Sequence, residues 1–193
     1  MPTRIRHSRP FLTSWLMGGR IFLVLLLGLL LVSTARADLN GYLTLEIEGV
    51  TIEGGSEIAP HEGKIVVHAV SHSGFSPVDA AGRIGAPQHR PITLLKPLDR
   101  ATPLLWQAWA NSSTIDNAII EFYRPGSGGA EENYLVMQLS GGAISSIALG
   151  SPDNLDPDLM SRPATELITL TYQSISWTTN AGTTAREGWG GGN

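Results

Sequence analysis

Cysteine is absent from the 193 residues. That single absence excludes a disulfide framework, a thiolate metal site, a redox motif and a cysteine nucleophile. Charged side chains are also scarce, at 16% against 42% hydrophobic, which is the balance of a folded chain rather than a disordered one. Basic residues are scarcest in the body of the protein. Of the 13 lysines and arginines, Arg4, Arg6, Arg9, Arg20 and Arg36 fall in residues 1–37, which hold no acid. The other eight face all 17 acids in residues 38–193, so the body carries −9 where the whole chain carries −4. A body of that charge has no basic footprint for phosphates, which argues against nucleic-acid binding.

The longest apolar run is short. Ile21–Val32 reads IFLVLLLGLLLV, twelve residues bounded by Arg20 and Ser33. As a helix it reaches about 18 Å, against a hydrocarbon core of ~30 Å. A basic start, this apolar centre and Ala35-Arg36-Ala37 before Asp38 fit a secretory signal peptide, with cleavage expected between Ala37 and Asp38. An uncleaved membrane anchor and a true start further downstream are the alternatives. Residues 38–193 are then expected to form one domain.

Glycine and proline are plentiful in that body, so turns must be frequent. Between them lie seven β-branched and aromatic runs: 42–48, 64–71, 91–96, 118–124, 133–139, 143–149 and 165–177. In the first, Leu43, Leu45 and Ile47 fall on one face and Thr44, Glu46 and Glu48 on the other, as a strand with one wet side requires. Seven such strands predict a mainly β fold, a sandwich or barrel. One segment breaks the pattern. Thr102 reads as an N-cap, Pro103 suits the first helical turn, and Leu105 and Trp109 share a face, so a short helix is expected over about 102–110. The connection His72–Arg90 is too long for a tight hairpin. Its Phe75, Pro77 and Val78 give it something to bury against a neighbour. A flexible tail is expected from about 181.

No constellation of catalytic or metal-binding type survives inspection. His68 and His72 lie in or beside a strand, where four residues span about 13 Å, too far for two ligands of one zinc. His61-Glu62 lacks the second histidine of a zinc-protease helix, and Gly126–Gly129 lacks the Lys-Ser/Thr of a phosphate loop. Asp153, Asp156 and Asp158 are interrupted by Pro157 and lack the glycine and closing glutamate of a calcium loop. The sequence therefore predicts no enzyme, no catalytic residue, no cofactor and no metal. Were there an activity, His61, His68, His72 and His89 would be its best residues.

Taken in order, the strands resemble the haemolysin-coregulated protein (Hcp) family, the tube subunits of bacterial type VI secretion systems. The resemblance runs through Tyr42–Gly49 (YLTLEIEG), His89–Lys96 (HRPITLLK), Leu98–Leu105 (LDRATPLL), Ile120–Arg124 (IEFYR), Tyr134–Leu139 (YLVMQL) and Glu166–Trp177 (ELITLTYQSISW). It covers nearly all of 42–180. It implies two packed antiparallel sheets in a compact barrel or sandwich with one flanking helix. It also implies a homohexameric ring that stacks into a tube, capped by a spike protein and able to carry effector proteins. In that family the long loop contributes contacts between subunits or rings, which makes Phe75, Pro77 and Val78 the candidate interface here. Hcp subunits are ordinarily cytoplasmic until fired by the type VI apparatus. The leader instead predicts a secreted or periplasmic relative, with the cytoplasmic route as the alternative if translation starts downstream. A β-barrel module that binds a protein or glycan outside the cytoplasm, through His72–Arg90 and Trp106 or Trp189, is the competing reading.

Overall fold

The computed structural model describes residues 41–188. The leader with its cleavage position, and Trp189, lie outside the described residues. No helix among the described residues is long and apolar enough to cross a membrane.

Two antiparallel sheets form the body. The larger contains β1 (Gly41–Ile47), β2 (Val50–Ile52), β3 (Ile65–Val67), β8 (Ile115–Pro125), β9 (Glu131–Gly142), β12 (Ser174–Thr179) and β13 (Thr184–Gly188). Its order is β13-β12-β9-β8-β1, and the far edge of β1 is shared by β2 against its second half and β3 against its first. The smaller sheet has the order β10-β11-β7-β4, built from β4 (Ala69–Ser71), β7 (Ile92–Pro97), β10 (Ile144–Gly150) and β11 (Thr165–Leu170). A two-stranded ribbon, β5 (Gly74–Phe75) with β6 (Gln88–His89), stands apart from both. The mainly β architecture with one flanking helix is that expected from the sequence. Of the tail expected to begin near 181, Thr184–Gly188 is instead an edge strand paired with β12.

Alternation decides what is buried. Leu43, Leu45 and Ile47 of β1, Ile92 and Leu94 of β7, and Ile168 and Leu170 of β11 point into one shared core, as strands covered on one face require. Two of the seven expected strands are broken, because the chain passes from one sheet to the other within them. Residues 64–71 turn the corner at His68, and 165–177 at Thr171–Gln173. A third corner, Ala143, separates β9 from β10. Two of these corners interlock: Thr171 N–H donates to the Ala143 carbonyl at 2.9 Å, and Gln173 N–H to that of Ser140 at 2.9 Å. A Cβ at Gly142 would lie 2.0 Å from the Thr171 carbonyl oxygen, so only glycine lets the corners pass.

The helix α1 (Thr102–Asn111) buries Leu105 and Ala108. Its N-cap is Ala101, not Thr102. The Thr102 hydroxyl is diverted to Glu166, to which it donates at 2.7 Å, while Asp99 Oδ1 accepts the Ala101 N–H at 3.0 Å. Trp106 and Trp109 meet edge to face at 5.8 Å, with Trp109 exposed.

An ion cluster anchors this end of the smaller sheet. Lys96 and Glu166 occupy inward positions directly opposite each other on β7 and β11, and both are wholly buried. Lys96 Nζ donates to Glu166 Oε1 at 2.6 Å, to Asp99 Oδ1 at 2.8 Å and to the Pro97 carbonyl at 2.8 Å. Asp99 Oδ2 also accepts the Gly55 N–H at 2.9 Å. One buried ammonium thus ties two strands, the helix start and the loop after β2.

Candidate functional site

The connection His72–Arg90 is a built arm rather than a loose loop. From its base upward, Arg90 N–H bonds the Ser73 carbonyl at 2.9 Å, Gly74 pairs with His89 and Phe75 with Gln88, Gly85 N–H reaches the Pro77 carbonyl at 2.8 Å, and Val78 bridges Ile84. Asp79 closes the tip. Its Oδ1 accepts the N–H groups of Ala81 and Arg83, each at 2.9 Å, and its Oδ2 meets Arg83 Nε at 2.6 Å. These bonds, the Arg83 backbone N–H first and then its guanidinium, hold the Asp79 carboxyl below the ordinary carboxylate range.

This hydrogen-bonded frame presents apolar side chains to solvent. Phe75 is 43% exposed, Val78 63% and Ile84 75%. Pro77 is exposed beside them, its Cγ 3.0 Å from where a Cβ on Gly85 would sit. The Arg90 guanidinium lies over the Phe75 ring at 5.0 Å, a cation–π contact that fixes the ring without covering it. Phe75, Pro77 and Val78 thus stand together on one exposed element. Ile84 belongs with them and was not singled out from the sequence. Its signal was there: Val78-Asp-Ala-Ala-Gly-Arg-Ile84 sets two β-branched residues on either side of an Asp/Gly turn.

The base of the arm is pinned to the body by an aromatic cluster. The Tyr172 hydroxyl donates to the Arg90 carbonyl at 3.3 Å and lies 2.7 Å from His72 Nε2. His72 stacks on His89 at 5.6 Å, and both lie beside Trp177. Burial pushes the Tyr172 hydroxyl up to about 12. Burial, and then the neighbouring His89, lower the His72 pKa. The remaining histidines lie elsewhere. His68 is exposed at a corner, and His61 is buried between Tyr42 and Tyr123 with Nε2 2.8 Å from Glu131. The four histidines therefore do not form one cluster. Among the described residues no three His, Asp or Glu side chains converge closely enough to hold a metal ion.

Comparison with known proteins agrees with this architecture. The "Major exported protein" of Pseudomonas aeruginosa is 27% identical over 152 residues, spanning 77% of this chain and 86% of the relative. Among solved structures, an Hcp protein superposes with a TM-score of 0.74 at 22% identity, covering 80% of this chain and 99% of the other. A mutant form of Hcp1 from the E. coli EAEC 042 pathovar gives 0.71 at 24%, covering 78% and 99%. The secreted protein Hcp3 of Pseudomonas aeruginosa gives 0.63 at 22%, covering 78% and 98%. The family described as "Type VI secretion system effector, Hcp" matches residues 42–179, from the second residue of β1 to the final residue of β12. With the helix, the arm and both sheets apart from the edge strand β13 inside that match, the chain belongs to the Hcp family.

Proposed function

We propose that this protein is a non-enzymatic tube subunit: six copies close into a ring, and rings stack through repeated contacts. The observation that carries the reading is the arm, a hydrogen-bonded ribbon that holds Phe75, Pro77, Val78 and Ile84 exposed, on an Hcp-family body. A head-to-tail ring needs two different complementary surfaces on each subunit, and a protruding ribbon is suited to be one of them. Phe75, Pro77 and Val78, with Ile84, are assigned to that contact. Partners are then other copies of the chain, with the tube spike protein and carried effectors following from family membership. A catalytic role finds no support in the histidines, which lie at three separate places: His72 with Tyr172 and His89, His61 with Glu131, and His68 exposed at a corner.

Export is part of the reading. The related major exported protein supports an exported destination, and residues 1–37 are assigned as a signal peptide removed between Ala37 and Asp38, leaving 38–193 as one domain. The N-terminal mass of the protein from its native cell tests this: a chain starting at Asp38 fits the proposal, whereas an intact Met1 in the membrane fraction refutes cleavage. Native mass and negative-stain microscopy test the ring. A mass near six subunits with annular particles is expected, and a strictly monomeric species at high concentration overturns the proposal.

A further inference from the structure

We infer that the arm of one copy docks on the loop 151–164 of the next. The inference rests on the ring-and-stack reading above and names the second of the two surfaces it requires. Strand register places these elements at opposite ends of one sheet. Leu170 pairs with Ile92 at one end of the β11–β7 ladder, and Thr165 with Pro97 at the other. The arm leaves β4 after Ser71 and enters β7 at Ile92, so it roots at the first end. The loop joins Gly150 of β10 to Thr165 of β11, so it sits at the second. The five steps from Ile92 to Pro97 in β7 set the ends about 17 Å apart. An arm and its acceptor at opposite ends cannot meet within one copy. Repeated between copies, they make a heterologous contact that closes into a ring or continues as a stack.

The two surfaces match in chemistry. The arm offers Val78 and Ile84 and carries Arg83 and Arg90 against Asp79, a net charge of +1 in a body at −9. The loop offers Leu155, 91% exposed, and Met160, 64% exposed, beside the partly exposed Leu98, whose N–H bonds the Ala164 carbonyl at 3.3 Å. Asp153, Asp156 and Asp158 against Arg162 give the loop −2. Asp153 and Asp156 spend their side-chain bonds on the N–H groups of Leu155 and Asp158, at 2.9 Å each. Those turns hold the apolar side chains outward and leave the carboxylates without a cation partner among the described residues. A weakly basic apolar ribbon and an acidic apolar loop suit each other, and each is mismatched to its own kind.

The absence of cysteine makes the test direct. The full chain carrying Val78→Cys and Leu155→Cys, under a mild added oxidant, should give a ladder of covalent oligomers on a non-reducing gel. Either substitution alone should give dimers at most. A Val78→Cys/Val50→Cys control, whose second site lies on the edge of the other sheet, should give at least about tenfold less ladder. Ile84→Cys/Met160→Cys repeats the test at independent exposed positions. Adding Asp156→Arg and Asp158→Arg should slow crosslinking about tenfold. If both arm–loop pairs crosslink no faster than the control while the unmodified protein forms rings, the docking inference fails and the ring reading stands. If the unmodified protein is monomeric, both fail.

Discussion

Replacing Lys96 by methionine should destabilise the fold by about 3–5 kcal/mol, because it strips the cation from a buried cluster and leaves its anions behind. The structure identifies the groups left unpaired. Glu166, wholly buried, would keep only the Thr102 hydroxyl on Oε1, and its Oε2 already has no hydrogen-bond partner. Asp99 would retain the N–H groups of Ala101 and Gly55, so the penalty should concentrate on Glu166. Against a typical total of ~5–15 kcal/mol, that is a large fraction of the stability. The double variant Lys96→Met/Glu166→Met places two apolar side chains of similar length in the site, and should recover most of the loss. Urea unfolding followed by tryptophan fluorescence reads both, and must be run at several protein concentrations so that association is separated from folding. A single-variant loss below about 1 kcal/mol at unchanged m-value, or a double variant worse than the single, would falsify the claim that the pair is coupled.

The pH response of the arm base follows from His72, whose folded pKa lies below its ordinary value of 6.5 because burial and His89 disfavour the cation. The neutral form is the stabilised one. Its contribution is fully present above pH 6.5 and is lost as pH falls through the lowered folded value. Stability measured from pH 7.5 down to 5 should fall, and His72→Gln should flatten the curve; a flat wild-type profile counts against the assignment. Tyr172→Phe removes the donor to Arg90 and the partner of His72, and should cost about 1–3 kcal/mol in chemical denaturation, with faster protease cleavage within 72–90. Gly142→Ala forces a Cβ onto the Thr171 carbonyl at the interlocked corners and should lower the melting temperature sharply or prevent folding. Phe75→Asp with Val78→Asp should abolish rings while leaving the far-ultraviolet spectrum and monomer stability unchanged, since both side chains are exposed.

The strands and the helix were legible because alternation and helical spacing are local properties. Leu43, Leu45 and Ile47 announce their face without reference to any other residue. The corners were not legible, because changing sheets alters the partner of a strand and not its period. In 165–177 the alternation of Ile168, Leu170 and Tyr172 runs straight into the turn at Thr171–Gln173, and only pairing with β7 on one side and β9 on the other divides it. Thr102 was misplaced by one position for a tertiary reason: its hydroxyl donates to Glu166 of β11 instead of capping its own helix. The Lys96–Glu166 pair had a signal that could have been used. A lysine at the third inward position of Ile92, Leu94, Lys96 is either misassigned or paired, and Glu166 holds the same place in Glu166, Ile168, Leu170.

The same division explains why the arm could be found in sequence but not understood there. Its length and its Phe75, Pro77 and Val78 marked it as something other than solvent-facing filler. What its sequence does not show is the frame that holds it, a ladder of backbone bonds, the Asp79 turn and the Tyr172 anchor, distributed over positions 72 to 172. A floppy loop bearing the same apolar residues would lose conformational entropy at every contact it made, at about 1–2 kcal/mol per ordered backbone residue. In an assembly that repeats one contact, that cost recurs in every copy. Fixing the arm within the fold places the ordering cost in folding, before any two subunits meet. On the proposed reading, weak apolar surfaces can then suffice at each junction.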